Sequence, residues 1–69
     1  METSIRNQVA GTVLEIVEDK VMSEVIIQTA AGKMTSVITT RSVRDMGLKV
    51  GDDVSAIIKA TNVSIGKSA

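Results

Sequence analysis

The chain has no aromatic residue, no histidine and no cysteine among its 69 residues. Its hydrophobic core must therefore be built from Val, Ile, Leu, Met and Ala, which still suffices for a globular protein because hydrophobic residues make up 43% of the sequence. A domain this short buries only about 60% of its unfolded surface, and small domains usually gain stability from disulfides, metals or partner subunits. Without cysteine or histidine, we expect partner subunits, in a homo-oligomer.

The charges are balanced, and this limits the classes of partner. Lys plus Arg and Asp plus Glu each number 8, so the formal net charge is 0 and the pI is near 6.1. No overall field attracts nucleic acid or an anionic membrane, and we expect neither partner. The first residues lack the pattern of a secretory signal, and no apolar run approaches the roughly 20 residues of a membrane span. We therefore expect a cytoplasmic protein.

The first predicted strand, residues 8–17, has an irregular apolar pattern. Val9 and Val13 fall on one face, whereas Leu14 and Ile16 fall on the other. Either a β-bulge or burial of both faces would explain this change of phase. The sequence leaves these two explanations open.

The rest of the chain indicates four further strands and one short helix. A turn at residues 18–20 leads to a second strand marked by Val21, Val25 and Ile27, and a hairpin connection at 30–33 leads to a third strand at 34–40. Residues 54–59 and 63–65 predict strands four and five. This order predicts an all-β fold, a small five-stranded OB-like barrel with the helix between strands three and four, forming a single domain over residues 1–69.

The helix is predicted from its end signals. Ser42 is followed three residues later by Asp45, as in a capping box, and Gly47 stands where a glycine commonly ends a helix. The predicted helix is one or two turns long.

Three short clusters of hydrogen-bond donors are the candidate functional residues. They are Ser4-Ile5-Arg6-Asn7-Gln8, Thr39-Thr40-Arg41-Ser42 and Lys59-Ala60-Thr61. Hydroxyl, amide, guanidinium and ammonium groups together suit a small oxyanion, and a site made of donors selects a fully deprotonated one.

Five segments, in order and spacing, resemble the molbindins, the Mop or TOBE family of small molybdate- and tungstate-binding proteins. They are Ser-Ile-Arg-Asn-Gln at 4–8, Gly-Lys-Met-Thr-Ser at 32–36, Thr-Thr-Arg-Ser-Val at 39–43, Leu-Lys-Val-Gly-Asp-Asp-Val at 48–54 and Ile-Lys-Ala-Thr-Asn-Val at 58–63. The resemblance covers essentially the whole chain. Ile5 replaces the Ala of many members, and Thr61 replaces the Ser of some and keeps the hydroxyl.

The resemblance implies an OB-like fold, a hexamer arranged as a trimer of dimers, and oxyanion sites between subunits. It also implies which residues bind the anion: Ser4, Arg6, Asn7, Thr39, Ser42, Lys59, Ala60 and Thr61. The expected ligand is molybdate or tungstate. No cofactor, no catalytic residue and no protein side chain directly ligating a metal is expected, and the implied role is storage or buffering in molybdenum homeostasis.

The chemistry of the residues agrees with this expectation. Molybdate and tungstate offer only hydrogen-bond acceptors at neutral pH, so hydroxyls and amides with one or two cations would suit them. Arg6 and Lys59 would balance the double charge. A protonated phosphate must also donate a hydrogen bond, so a site without carboxylates would reject it, whereas rejection of sulfate has to depend on cavity size.

Other interpretations of the same residues remain. Ser4 and Arg6 also fit a polar chain end, Thr39 to Ser42 fits helix capping, and Lys59 fits a solvated strand charge. The first alternative function is a purely structural oligomerisation module. The second is an OB-type nucleic-acid-binding domain, which normally uses stacking aromatic residues and a basic groove that this chain lacks. An enzyme is disfavoured because no activated nucleophile or acid–base pair is recognisable.

Overall fold

A computed structural model of the protein describes residues 6–68. Its strands are β1 (Arg6–Glu18), β2 (Met22–Thr29), β3 (Gly32–Thr39) and β4 (Asp53–Lys59). A helix, α1 (Thr40–Met46), follows β3, and a 3-10 turn at Ala60–Asn62 follows β4. The strands form one antiparallel sheet in the order β3-β2-β1-β4. Within the described part of the chain, no helix is long and apolar enough to cross a membrane.

Strand β1 contains the bulge that was one of the two explanations for its apolar pattern. Val13 pairs with Ile27 of β2, and Glu15 pairs with the next residue, Ile26, so Leu14 is the extra residue. The bulge changes which side chains face the core: Val13 does and is only 1% exposed, whereas Leu14 is 41% exposed. The change of phase in the sequence is thus a change of strand geometry.

The core lies on one face of the curled sheet and is small, as the composition predicted. Four hydrophobic side chains are fully buried: Val13, Val25, Ile27 and Val43. Partly buried aliphatic side chains surround them: Ile16, Met34, Ile38, Leu48, Val54 and Ala56. Helix α1 contributes Val43 to this core, and the loop after α1 returns the chain to β1, where the Gly51 N–H donates to the Val13 carbonyl at 2.8 Å.

The predicted five-stranded barrel is wrong in its strand count and its closure. The sheet has four strands and is open, and residues 63–65 do not form a strand. Ile65 is 92% exposed, and the Val63 N–H bonds back to the Ala60 carbonyl within the 3-10 turn. Ordering a residue costs about 1–2 kcal/mol in backbone entropy, and a three-residue segment with two apolar side chains gains too little by itself to offset that cost.

The open side of the sheet is an apolar groove between β3 and β4, with a volume of about 490 Å³. Its walls include Met34 and Ile38 from β3 and Val54 and Ile58 from β4. Since β3 and β4 do not pair with each other, these four side chains face an open groove rather than a closed barrel interior.

The helix has the predicted length and end, but its start was predicted wrongly. The N-cap is Thr39, whose backbone is extended at φ −67° and ψ 145°, and whose hydroxyl accepts the Ser42 N–H. Ser42 is therefore the third helical residue, and Asp45 lies in the last turn. Thr39 is already at the end of β3, so capping from that residue lets strand and helix follow one another directly. Gly47 ends the helix at φ 63°, as predicted.

Gly11 is required where β1 passes from one neighbouring strand to the other. It pairs with Val54 of β4 and with Thr29 of β2. A β-carbon at Gly11 would lie 2.7 Å from the Gln28 backbone carbonyl oxygen, which is closer than atoms can pack. Only a glycine allows the two strands to approach this closely.

We predict that Gly11→Ala lowers the free energy of unfolding by about 1–3 kcal/mol, because a backbone atom must move to admit the methyl group. Urea denaturation at one fixed protein concentration measures the change. Gly66→Ala is the matched control, since nothing lies within 4 Å of a β-carbon there, and we expect it to stay within about 0.5 kcal/mol of the wild type. Equal midpoints for the two variants would contradict the proposed crowding at Gly11.

Candidate functional site

The β1–β4 ladder brings the described part of the first donor cluster, which begins at Arg6, next to the third cluster within one chain. Arg6 and Lys59 are direct cross-strand partners at the end of the ladder. Directly opposite residues point to the same face, with β-carbons about 4.5–5.5 Å apart. Arg6 and Lys59, here named the cationic pair, are both exposed. Arg6 is the first residue of β1, although the sequence predicted that it precedes the strand.

Like charges in directly opposite positions repel and destabilise a ladder unless another group compensates them. Within residues 6–68, neither Arg6 nor Lys59 forms an ion pair, and the salt bridge found there joins Arg44 to Glu18 far along β1. The neighbouring segments 6–10 and 55–62 contain no carboxylate. The cationic pair is therefore a local concentration of positive charge in a chain whose net charge is 0.

Three further residues of these two clusters, Asn7, Ala60 and Thr61, are chain neighbours of the cationic pair. Ala60 and Thr61 form the exposed 3-10 turn that directly follows Lys59. Asn7 pairs with Ile58 and so projects from the opposite face to Arg6; its amide nitrogen lies 3.4 Å from the Ile58 carbonyl, at the long limit of a hydrogen bond. Ser4 lies outside the described residues.

The middle cluster lies at the far end of β1. Thr39 pairs with Met22 at the start of β2, and the next residue, Thr40, donates its N–H to the Val21 carbonyl at 2.8 Å. A straight strand of 13 residues would span roughly 40 Å, and because the molecule measures only 36 Å along its longest axis, β1 must bend. The bulge shortens this span, but one chain still holds the cationic pair and the middle cluster at opposite ends of the strand.

Thr39 and Ser42, here named the hydroxyl pair, are linked twice. The Thr39 hydroxyl accepts the Ser42 N–H at 3.1 Å and donates its own proton to Ser42 Oγ at 2.7 Å. The Thr39 proton is thereby used within the pair. The Ser42 hydroxyl proton has no acceptor among the hydrogen bonds of the described residues, so it is the one that this pair can offer to a ligand.

A buried hydroxyl network beside the hydroxyl pair was missed by the sequence analysis. Thr40 and Ser23 are each 2% exposed, and their hydroxyl oxygens lie 2.7 Å apart. Thr40 Oγ1 also donates to the Asp19 carbonyl at 2.6 Å. The sequence contains a signal for Ser23, because it is the polar residue in the inward phase set by Val21, Val25 and Ile27.

Metal ligation has little support in this site. The described residues contain no group of three or more His, Cys, Asp or Glu side chains that could hold a metal ion. Hydroxyls, an amide and two cations are donors, and donors suit an anion instead.

Comparison with known proteins identifies the family. The TOBE domain family matches residues 3–65. The molybdenum-pterin-binding protein 3 of Clostridium pasteurianum is 41% identical over 66 residues, covering 94% of this chain and 97% of that protein. A probable molybdenum-pterin-binding protein of Haemophilus influenzae is 37% identical over 67 residues, covering 96% and 97%.

Two solved structures have the same fold. MopII from C. pasteurianum, in an apo form, has a TM-score of 0.86 at 37% identity and covers 96% of this chain and 100% of its own. The molybdate-binding protein of Sporomusa ovata has a TM-score of 0.88 at 37% identity and covers 97% and 100%. Both similarities extend over nearly the full chain, and with the matched family they show that this protein belongs to the TOBE domain family, as its donor clusters and turn motifs predicted.

Proposed function

We propose that this protein binds molybdate or tungstate, and that it stores or buffers the anion rather than acting as an enzyme. The observation that carries the proposal is the cationic pair: Arg6 and Lys59 face each other across a ladder whose described segments, 6–10 and 55–62, contain no carboxylate. A dianion bound between them would turn a repulsive pair into two attractive contacts. Relatives named for molybdenum-pterin or molybdate binding support the choice of anion.

The proposed ligand contacts come from the three donor clusters. They are Ser4, Arg6, Asn7, Thr39, Ser42, Lys59, Ala60 and Thr61. Arg6 and Lys59 supply charge, and the Ser42 and Thr61 hydroxyls supply directed donors. At neutral pH molybdate and tungstate need only donors, whereas phosphate carries a proton that needs an acceptor. We infer that such a site discriminates against phosphate by chemistry and against sulfate by size.

We further propose that sites combining all three clusters lie between subunits of a cytoplasmic homo-oligomer, a hexamer arranged as a trimer of dimers. Within one chain, β1 separates the hydroxyl pair from the cationic pair, so a second chain has to supply one of them to a shared site. Apolar surface is available for such contacts: Val37 is 61% exposed and Ile57 is 61% exposed, and the groove between β3 and β4 is lined by aliphatic side chains. A purely structural oligomerisation module would share this surface but would have no need of the cationic pair.

Equilibrium dialysis tests the proposed ligand. We predict uptake of molybdate or tungstate at micromolar concentration by the folded protein, with sulfate and phosphate held much more weakly because of size and protonation. The absence of uptake of either metal oxyanion would overturn the proposed function and favour the structural module.

Variants of the cationic pair test the proposed location. Arg6→Ala and Lys59→Ala should each weaken molybdate binding roughly tenfold to a hundredfold, because each removes a charge-assisted contact to a desolvated anion. Neither should lower the stability of the ligand-free protein, since each also removes a repulsion. Calorimetry and urea denaturation measure the two effects.

The matched control is Lys33→Ala, because Lys33 is also an exposed strand lysine but pairs with the neutral Gln28. We expect it to bind molybdate like the wild type. Unchanged affinity in both Arg6→Ala and Lys59→Ala would exclude the cationic pair as the site.

Assembly provides a separate prediction. A ligand held between subunits binds only the assembled state, so it stabilises that state by RT ln(1 + [L]/Kd), about 2.7 kcal/mol at a hundredfold excess over Kd. The melting temperature should therefore rise with the concentration of protein and with that of molybdate. Sedimentation of a folded monomer that binds the anion at full strength would refute the interfacial site while leaving anion binding intact.

A further inference from the structure

Thr40 is the residue that connects the hydroxyl pair to the rest of the fold. It directly follows Thr39, and its side chain is turned inward, leaving the residue 2% exposed. Its N–H bonds to the Val21 carbonyl and its hydroxyl bonds to the Asp19 carbonyl, at 2.8 Å and 2.6 Å. Both acceptors belong to the turn between β1 and β2. The start of α1 is thus attached to that turn by a backbone bond and a side-chain bond from one residue.

The direction of the protons in this network follows from the acceptors. A carbonyl oxygen can only accept, so the single hydroxyl proton of Thr40 must point to Asp19. Ser23 Oγ, which lies 2.7 Å from Thr40 Oγ1, must then be the donor to Thr40. The two hydrogen bonds therefore have one direction: Ser23 donates to Thr40, and Thr40 donates to the Asp19 carbonyl. Each of the two hydroxyl groups has one orientation that satisfies this order.

Stability alone does not explain two buried hydroxyls at this place. Burying a hydroxyl is costly unless it is hydrogen-bonded, and the net gain from such a bond is small. Replacing both partners by apolar groups of similar shape can be nearly neutral. Valine at 40 and alanine at 23 would fill almost the same space. The specific contribution of the hydroxyls is a fixed geometry at the start of α1.

We propose that Thr40 is a positioning residue for oxyanion binding. Its buried hydroxyl, held by Ser23 and Asp19, fixes the first residues of α1 against the β1–β2 turn, and this holds the Ser42 hydroxyl oxygen in place, with its proton available to the anion. Pre-organisation of a donor raises affinity because less freedom is lost on binding. This inference rests on the proposed role of Thr39 and Ser42 in binding the anion.

The test compares molybdate affinity with stability in paired variants. Ser23→Ala combined with Thr40→Val removes both hydroxyls together, and the Asp19 carbonyl, which belongs to an exposed residue, can bond to water instead, so the melting temperature should stay close to that of the wild type. Molybdate binding should weaken roughly threefold to tenfold, the value expected for losing the positioning of one hydrogen bond. Thr40→Ser alone keeps the hydroxyl at position 40, so this variant should bind molybdate as tightly as the wild type. In a Ser42→Ala background, the double substitution should cause no further loss, because the donor that it positions is gone.

Thr29→Val is the matched control. Thr29 is also a buried threonine, 7% exposed, and it lies at the other end of β2, where its hydroxyl donates to the carbonyl of Gly32, the first residue of β3. It should lower stability and leave molybdate affinity unchanged. A second measurement needs no variant: amide hydrogen exchange at Ser42 should already be slow in the ligand-free protein, because its N–H is held by Thr39.

The outcomes separate the inference from the function on which it rests. Wild-type protein that takes up no molybdate would overturn both. If Ser42→Ala weakens molybdate binding but the combination of Ser23→Ala and Thr40→Val does not, the proposed function stands and the positioning role of Thr40 is overturned. An equal further loss in the Ser42→Ala background would also overturn it, as would fast exchange at the Ser42 amide that slows only when molybdate is added.

Discussion

The two-sided pairing of β1 is the constraint on which the rest of the fold depends. The first half of the strand pairs with β4 and the second half with β2, and the two ladders overlap at Gly11 and Thr12. The absence of a side chain at Gly11 permits the close approach to β2, and the bulge at Leu14 turns the strand so that Val13 and Ile16 both face the core. A regular strand of this length would direct Ile16 to the opposite face from Val13, and the core would lose one of its few large side chains.

The same strand determines where the donor clusters lie. At its start, pairing with β4 places Arg6 opposite Lys59, and at its end the β1–β2 turn accepts two hydrogen bonds from Thr40. The cationic pair therefore lies at the start of β1, whereas the hydroxyl pair, on β3 and α1, is attached to the turn at its other end. This arrangement explains how a chain of net charge 0 can present a local positive charge, and it is the reason that we propose a site shared between subunits.

A core without aromatic residues has a visible consequence in the structure. Aliphatic side chains fill one face of the sheet, but they do not close it, and a groove of about 490 Å³ remains between β3 and β4. Large apolar side chains also stay exposed outside the groove, including Val37 and Val50. The single chain thus leaves part of its apolar surface exposed, as its short length and its lack of aromatic residues predicted.

The sequence alone determined the local features, because local features depend on near neighbours. It predicted the first four strands in their order along the chain, the irregularity in β1 and the glycine that ends the helix, since alternation, turn residues and caps are encoded within a few positions. It placed the helix start at Ser42 rather than Thr39, because two adjacent threonines and a serine offer several capping hydroxyls and local chemistry does not select among them.

Only the tertiary structure decided the rest. Residues 63–65 form no strand because of how little surface that segment can bury. The pairing of Arg6 with Lys59 and the contact between Ser23 and Thr40 join segments that are remote in sequence. Such contacts are set by strand register and by packing of the whole chain, and no window of the sequence contains both partners.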